Sequence, residues 1–134
     1  MPTKLQSLRR QVFVRGGGHC FYFGVRMWPV SPDELPTAPR AAGALAKLRC
    51  TAEHLLPQSE GGRDTLANIA AACAHCNHTR HRRKLPPLPA VYREQVRRRM
   101  ECGRWHDRWV FDLGLAVTVG GRAAVVAGHC TESQ

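Results

Sequence analysis

Residues 50–77 read Cys-Thr-Ala-Glu-His-Leu-Leu-Pro-Gln-Ser-Glu-Gly-Gly-Arg-Asp-Thr-Leu-Ala-Asn-Ile-Ala-Ala-Ala-Cys-Ala-His-Cys-Asn. Glu53 and His54 put a hard oxygen ligand beside an imidazole that is a competent base near neutral pH. Asn68 supplies an amide that can fix a loop by bonding its backbone. Cys73 and Cys76 have the spacing that turns two thiolates toward one zinc ion at the start of a helix. Asn77 follows at once and offers a carbonyl oxygen. A lone Glu-His pair is ordinarily a surface pair. It is the independent elements at this spacing that point to chemistry.

Outward from this segment the chain divides by its punctuation. Cys50 to Leu56 reads as a short strand, and Gly61-Gly62 as a turn. Leu66 to Arg83 has helical character, with Leu66, Ile69, Ala70, Cys73 and Asn77 along one side. Strand, turn and helix together fit a zinc-knuckle or ββα unit. Upstream, Leu5, Leu8 and Val12 predict a helix that ends at Gly16-Gly17-Gly18. Four prolines between 29 and 39 predict a loop, and Ala41 to Leu48 a helix. Downstream, Ala90 to Cys102 predicts a helix with Pro89 in its first turn and Gly103 at its C′ position. Tyr92, Val96 and Met100 form its apolar stripe. Residues 1–109 are read as one domain and 110–134 as a C-terminal hairpin or flexible tail, with the hairpin over 117–126. Trp105 and Trp109 are expected in the core rather than stacked on bases.

The chain has 134 residues and a net charge of +10, with a pI of about 10.2. Such a balance favours a polyanionic partner. No apolar run is long enough for a membrane span, and no secretory leader is visible, so a cytoplasmic location is expected. The six cysteines then read as metal ligands plus free thiols rather than a disulfide framework. Ten of the twenty Lys and Arg residues fall between Arg80 and Arg108, against three acidic ones. Arg80, Arg82, Arg83, Lys84, Arg97 and Arg98 are the candidate phosphate-gripping residues; an ordinary solvated helix face is the plainer alternative.

The pattern resembles the HNH nucleases, small proteins in which a Cys-Phe-Tyr-Cys-Gly opening precedes a Thr-Ala-Glu-His-Leu strand. Cys20-Phe21-Tyr22-Phe23-Gly24 and Thr51-Ala52-Glu53-His54-Leu55 stand in those places. The likeness covers roughly Val12 to Lys84, with an echo at Arg104-Trp105-His106. It implies an α+β fold built on a ββα-metal (His-Me finger) core with flanking helices and a zinc knuckle. It implies His54 as general base, Asn68 as the orienting residue, and Glu53 with Asn77 as ligands of a divalent ion. His81, four residues after Asn77, could join them. Mg²⁺ or Mn²⁺ suits the oxygens, and Ni²⁺ or Zn²⁺ suits a set that includes His81. The expected activity is hydrolysis of DNA phosphodiesters with low sequence specificity. The alternatives are an RNA-directed nuclease and a zinc-stapled nucleic-acid-binding module without turnover.

One position departs from the pattern. Phe23 stands where the second cysteine of the opening belongs, and it cannot ligate. Three readings follow. Zinc is held by Cys20, Cys73 and Cys76 with water, His19 or Cys50 as the fourth ligand; or packing of Phe21 and Phe23 replaces the metal; or the chain is a weakened variant. The three-cysteine site with an improvised fourth ligand is preferred here.

Overall fold

The computed structural model describes residues 1–35 and 42–116. Helix α1 spans Lys4–Arg15; Thr3 caps it in a reciprocal box with Gln6, and Gly16 closes it. This satisfies amides that the first turn leaves orphaned. Leu8 and Val12 are its buried face. Its last residue reaches across the molecule: the Arg15 guanidinium donates to the carbonyls of Leu66 (2.9 Å) and Ile69 (2.8 Å).

The centre is a two-stranded antiparallel sheet, β1 (Cys50–His54) against β2 (Ile69–Cys73). The register pairs Cys50 with Cys73 and His54 with Ile69. Helix α3 (Ala74–Arg80) follows β2 without a linker. Cys73 is the hinge between them. Its backbone is extended, and its sulfur accepts from the Cys76 amide as the helix cap. The expected ββα unit is therefore present and the fold is α+β.

The expectation of helix from Leu66 onward is corrected: residues 69–73 form a strand. All five of its residues are buried, so it shows no alternation of apolar and polar positions, and the sequence Ile-Ala-Ala-Ala-Cys suits a helix equally well. Strand pairing and the packing of α1 settle the choice.

Helix α2 covers Ala42–Ala46. Helix α4 spans Pro89–Glu101 with proline in its first turn, and buries Tyr92, Val96 and Met100. Each such burial is worth roughly 1.5–3 kcal/mol. Gly103 follows with φ of 68°, a left-handed turn that glycine adopts without strain. Helix α5 covers Arg108–Asp112 and spans the expected boundary after residue 109. Trp109, Val110 and Leu115 are buried in the same core as Leu8, Tyr22 and Ile69. The hairpin expected over 117–126 lies outside the described residues. No helix among the described residues is long and apolar enough to cross a membrane.

Candidate active site and cysteine knuckle

The loop between β1 and β2 is held by its own polar groups. Asn68 accepts from the Leu56 amide (2.8 Å) and donates to the carbonyls of Leu56 (3.0 Å) and Arg63 (3.1 Å). The Gly62 amide bonds the Pro57 carbonyl at 2.9 Å. A Cβ on Gly62 would lie 1.7 Å from the Leu56 carbonyl oxygen, so only glycine lets the two backbones approach this closely. Gly61 turns the chain with φ of 92°.

This loop sets the surroundings of His54. The Nε2 atom of His54 lies 2.7 Å from Oδ1 of Asp64, and both side chains are partly exposed. The His54 bond is the first cause that holds the Asp64 carboxyl below its usual range. An ionised carboxylate only accepts, so Nε2 carries the proton and Nδ1 becomes the basic nitrogen. Asp64 was not singled out from the sequence. A single loop carboxylate has no periodic or spacing signature.

Glu53, the residue before His54, is fully buried. Tyr22 donates its hydroxyl to Oε2 at 3.0 Å, and Nε2 of His81 lies 2.6 Å from Oε1. Burial first, and then the Glu53 charge, push the Tyr22 phenol well up, so it stays protonated and keeps donating. Adjacent strand residues point to opposite faces, yet Glu53 and His54 line one open cleft with Pro57, Gln58, Ser59, Asn77 and His81. β1 ends at His54, where Arg80 of α3 bonds the His54 and Leu55 carbonyls at 3.1 Å.

Asn77 gives its amide nitrogen to Thr51 Oγ1 (3.0 Å) and to the Ala52 carbonyl (3.4 Å), which leaves its carbonyl oxygen for a ligand. Glu53, His81 and Asn77 thus offer a carboxylate, an imidazole and an amide oxygen beside one cleft. That donor set fits a divalent cation of intermediate hardness.

Arg80 is not on the surface where the sequence reading placed it. It is 1 % exposed. Its guanidinium donates to the carbonyls of Pro87 (3.0 Å), His54 (3.1 Å) and Leu55 (3.1 Å), and lies 3.5 Å from Glu53 Oε1. It holds the end of β1 and partly neutralises Glu53, and it cannot grip a phosphate. Arg97 is also engaged: it forms ion pairs with Glu94 and Glu101 on its own helix, and Glu94 takes Arg98 as well. The Arg97 bond first, and then Arg98, pull Glu94 down to about 2. Arg82, Arg83 and Lys84 are exposed just past α3.

The second cluster is sulfur. The Sγ atoms of Cys20, Cys73 and Cys76 all lie within 4.8 Å of one another, and all three residues are buried. Backbone amides already point at them: Cys73 donates to Cys20 Sγ (3.3 Å) and Cys76 to Cys73 Sγ (3.4 Å). Trp105 adds its indole N–H to Cys76 Sγ at 3.2 Å. Donors aimed at sulfur favour thiolate, the form that binds metal, and Cys20 is drawn that way, while burial pushes the Cys73 and Cys76 thiols up. The donor set and spacing fit a soft divalent ion such as zinc.

Phe23 is buried in the core and offers no donor. Neither proposed fourth protein ligand is turned to the cluster: His19 Nδ1 bonds the Gly24 carbonyl at 3.0 Å, and Cys50 Sγ contacts the Thr51 carbonyl at 4.0 Å. Outside the cluster Cys50 is a free thiol, as expected, whereas Cys102 is disulfide-bonded.

Residues 43–83 match the family model of the HNH endonucleases. The matched stretch holds β1, the Asn68-pinned loop, β2, α3 and two of the three clustered cysteines. No significant match to a curated protein or to a solved structure accompanies it.

Proposed function

We propose, from an HNH endonuclease segment at residues 43–83, that this chain hydrolyses phosphodiester bonds in DNA with the help of a divalent ion. The observation that carries the reading is the pairing of His54 with Asp64 at 2.7 Å, at the mouth of the cleft that Glu53 also lines. With its proton on Nε2, His54 takes the proton of an attacking water at Nδ1. Asp64 steadies the imidazolium that results. Glu53 and His81 would hold the ion, with the Asn77 carbonyl beside them. When bound, the ion supplies charge neutralisation on the phosphate and stabilises the leaving 3′ oxygen. Asn68 acts through His54, by fixing the loop that carries Asp64.

Nucleic acid is held by charge rather than by base reading. Arg82, Arg83 and Lys84 lie directly after the helix that carries Asn77, and no base-reading motif is evident in the sequence. Binding of this kind weakens steeply with salt and carries low sequence specificity.

Manganese binding followed by electron paramagnetic resonance, alongside cleavage of a synthetic duplex and of the equivalent RNA, tests the assignment. Glu53→Gln should lose manganese at the cleft and lose cleavage, while His54→Ala should keep manganese and lose cleavage. Duplex binding with no cleavage by wild type in any divalent ion would replace the nuclease with a binding module. RNA cut in preference to DNA would change the substrate.

A further inference from the structure

The sulfur cluster lacks a fourth protein ligand in the place where the family pattern puts one, because Phe23 stands there. The geometry points to His106 as that ligand, so that the structural metal is held by Cys20, Cys73, Cys76 and His106. His106 lies in the turn between α4 and α5, thirty residues after Cys76 and outside the segment that matches the HNH family.

Three observations carry this. First, Nε2 of His106 lies 3.7 Å from Cys73 Sγ. In a tetrahedral zinc site with Zn–S near 2.3 Å and Zn–N near 2.05 Å, the sulfur-to-nitrogen edge is about 3.6 Å; the Cys73 edge meets this, and the ring has to close on the remaining sulfurs when metal binds, since the three cysteines alone lie within 4.8 Å of one another. Second, His106 is 5 % exposed, and among the described residues its Nδ1 has no hydrogen-bond partner. The Cys73 sulfur is therefore the polar neighbour of the ring, and Nε2 is the nitrogen a metal would take. Third, the segment is fastened around the cluster. Trp105 donates to Cys76 Sγ, and Tyr92 from α4 donates to the Cys76 carbonyl at 2.7 Å. The His75 ring packs against both Trp105 and His106, with centroids 4.7 and 5.1 Å away.

The consequence is architectural. With a second cysteine in the opening, the metal would join only the Cys20 turn to the start of α3. With His106 it also ties the α4–α5 turn to the knuckle, so the staple spans Cys20 to His106. The loss at Phe23 is then compensated by a ligand from the far end of the fold. This inference does not rest on the nuclease reading, since its readout is the metal itself.

X-ray absorption on the zinc-loaded wild-type protein should show about three sulfurs near 2.3 Å and one nitrogen near 2.05 Å, with the outer-shell scattering of an imidazole ring. His106→Ala should lower zinc affinity about 100-fold or more and shift the ligand-field bands of the cobalt-substituted protein. His19→Ala should change neither. Adding Phe23→Cys to His106→Ala should restore tight binding as a four-sulfur site.

A wild-type spectrum with four sulfurs, or with no imidazole shell, would overturn the assignment. So would a His106→Ala protein with unchanged zinc affinity and cobalt spectrum. If His106→Ala does not fold, the wild-type spectrum and a His106→Cys protein, expected to show four sulfurs, decide the question alone.

Discussion

Replacing Arg80 tests whether a residue from the middle of a basic run is scaffold or grip. Its guanidinium serves three backbone carbonyls at 3.0–3.1 Å and stands 3.5 Å from the buried Glu53 carboxylate. In Arg80→Met the apolar stem is retained, so the transfer of methylenes from water largely cancels. Lost are three hydrogen bonds from a charged donor, each worth about 1.5–3 kcal/mol on removal, and the positive partner of Glu53.

These losses are not additive, because the carbonyls of His54 and Leu55 can relax toward water once released. Breaking a buried ion pair by removing one member costs about 3–5 kcal/mol, and that is the expected loss. On a domain of this size it lowers the Tm by roughly 10–25 °C. Arg80→Lys keeps the charge, but one ammonium cannot span three carbonyls, so an intermediate loss is expected. Denaturant unfolding of the zinc-loaded protein measures both. If Arg80→Met left stability within about 0.5 kcal/mol of wild type, as surface changes do, and reduced duplex binding instead, the buried placement and the argument from it would fail.

Other outcomes follow from the same geometry. Gly62→Ala should collapse the loop between the strands, because its Cβ has no room beside the Leu56 carbonyl; loss of cleavage with the β1–β2 amides still protected from exchange would localise the damage. Asp64→Asn should cut cleavage by about 100-fold with duplex binding unchanged, because the tautomer of His54 is no longer fixed. The same change should also flatten the acid limb of the stability curve. Since His54 holds the Asp64 carboxyl below its usual range, the pairing stabilises the fold above the unfolded value of about 3.9 and is lost as pH falls through the folded one. Thermal melts below pH 4 would show it. Arg82→Gln, Arg83→Gln and Lys84→Gln should each reduce the salt dependence of duplex binding by about one unit of slope while leaving stability alone.

How much of this was legible in the sequence depended on whether a residue's job leaves a pattern. Leu8 and Val12, or Tyr92, Val96 and Met100, recur at helical spacing and bury as that spacing requires. Gly61-Gly62 and Asn68 announce a tight loop, and Cys73 and Cys76 announce a knuckle. Strand β2 was hidden because a five-residue segment buried on both faces has no alternation, and its three alanines fit a helix as well. Arg80 was hidden by company, since an arginine next to Arg82, Arg83 and Lys84 reads as surface. Only α3's position under the end of β1 turns it inward. Asp64 and His106 are single residues whose roles come from where the chain folds back. His106 also lies outside the segment that matches the family model, and although the sequence likeness has an echo at Arg104-Trp105-His106, the approach to Cys73 could be found only in three dimensions.

We propose that the cleft between Glu53 and His54 is a metal-dependent phosphodiesterase centre. Incubating chelator-treated protein with supercoiled plasmid in Mg²⁺, Mn²⁺, Ni²⁺, Zn²⁺ or EDTA, beside His54→Ala, tests it most directly. Conversion to nicked or linear DNA is expected in at least one of these ions, none in EDTA, and none in His54→Ala despite retained binding. Cleavage that persists in EDTA, or at the wild-type rate in His54→Ala, would contradict it.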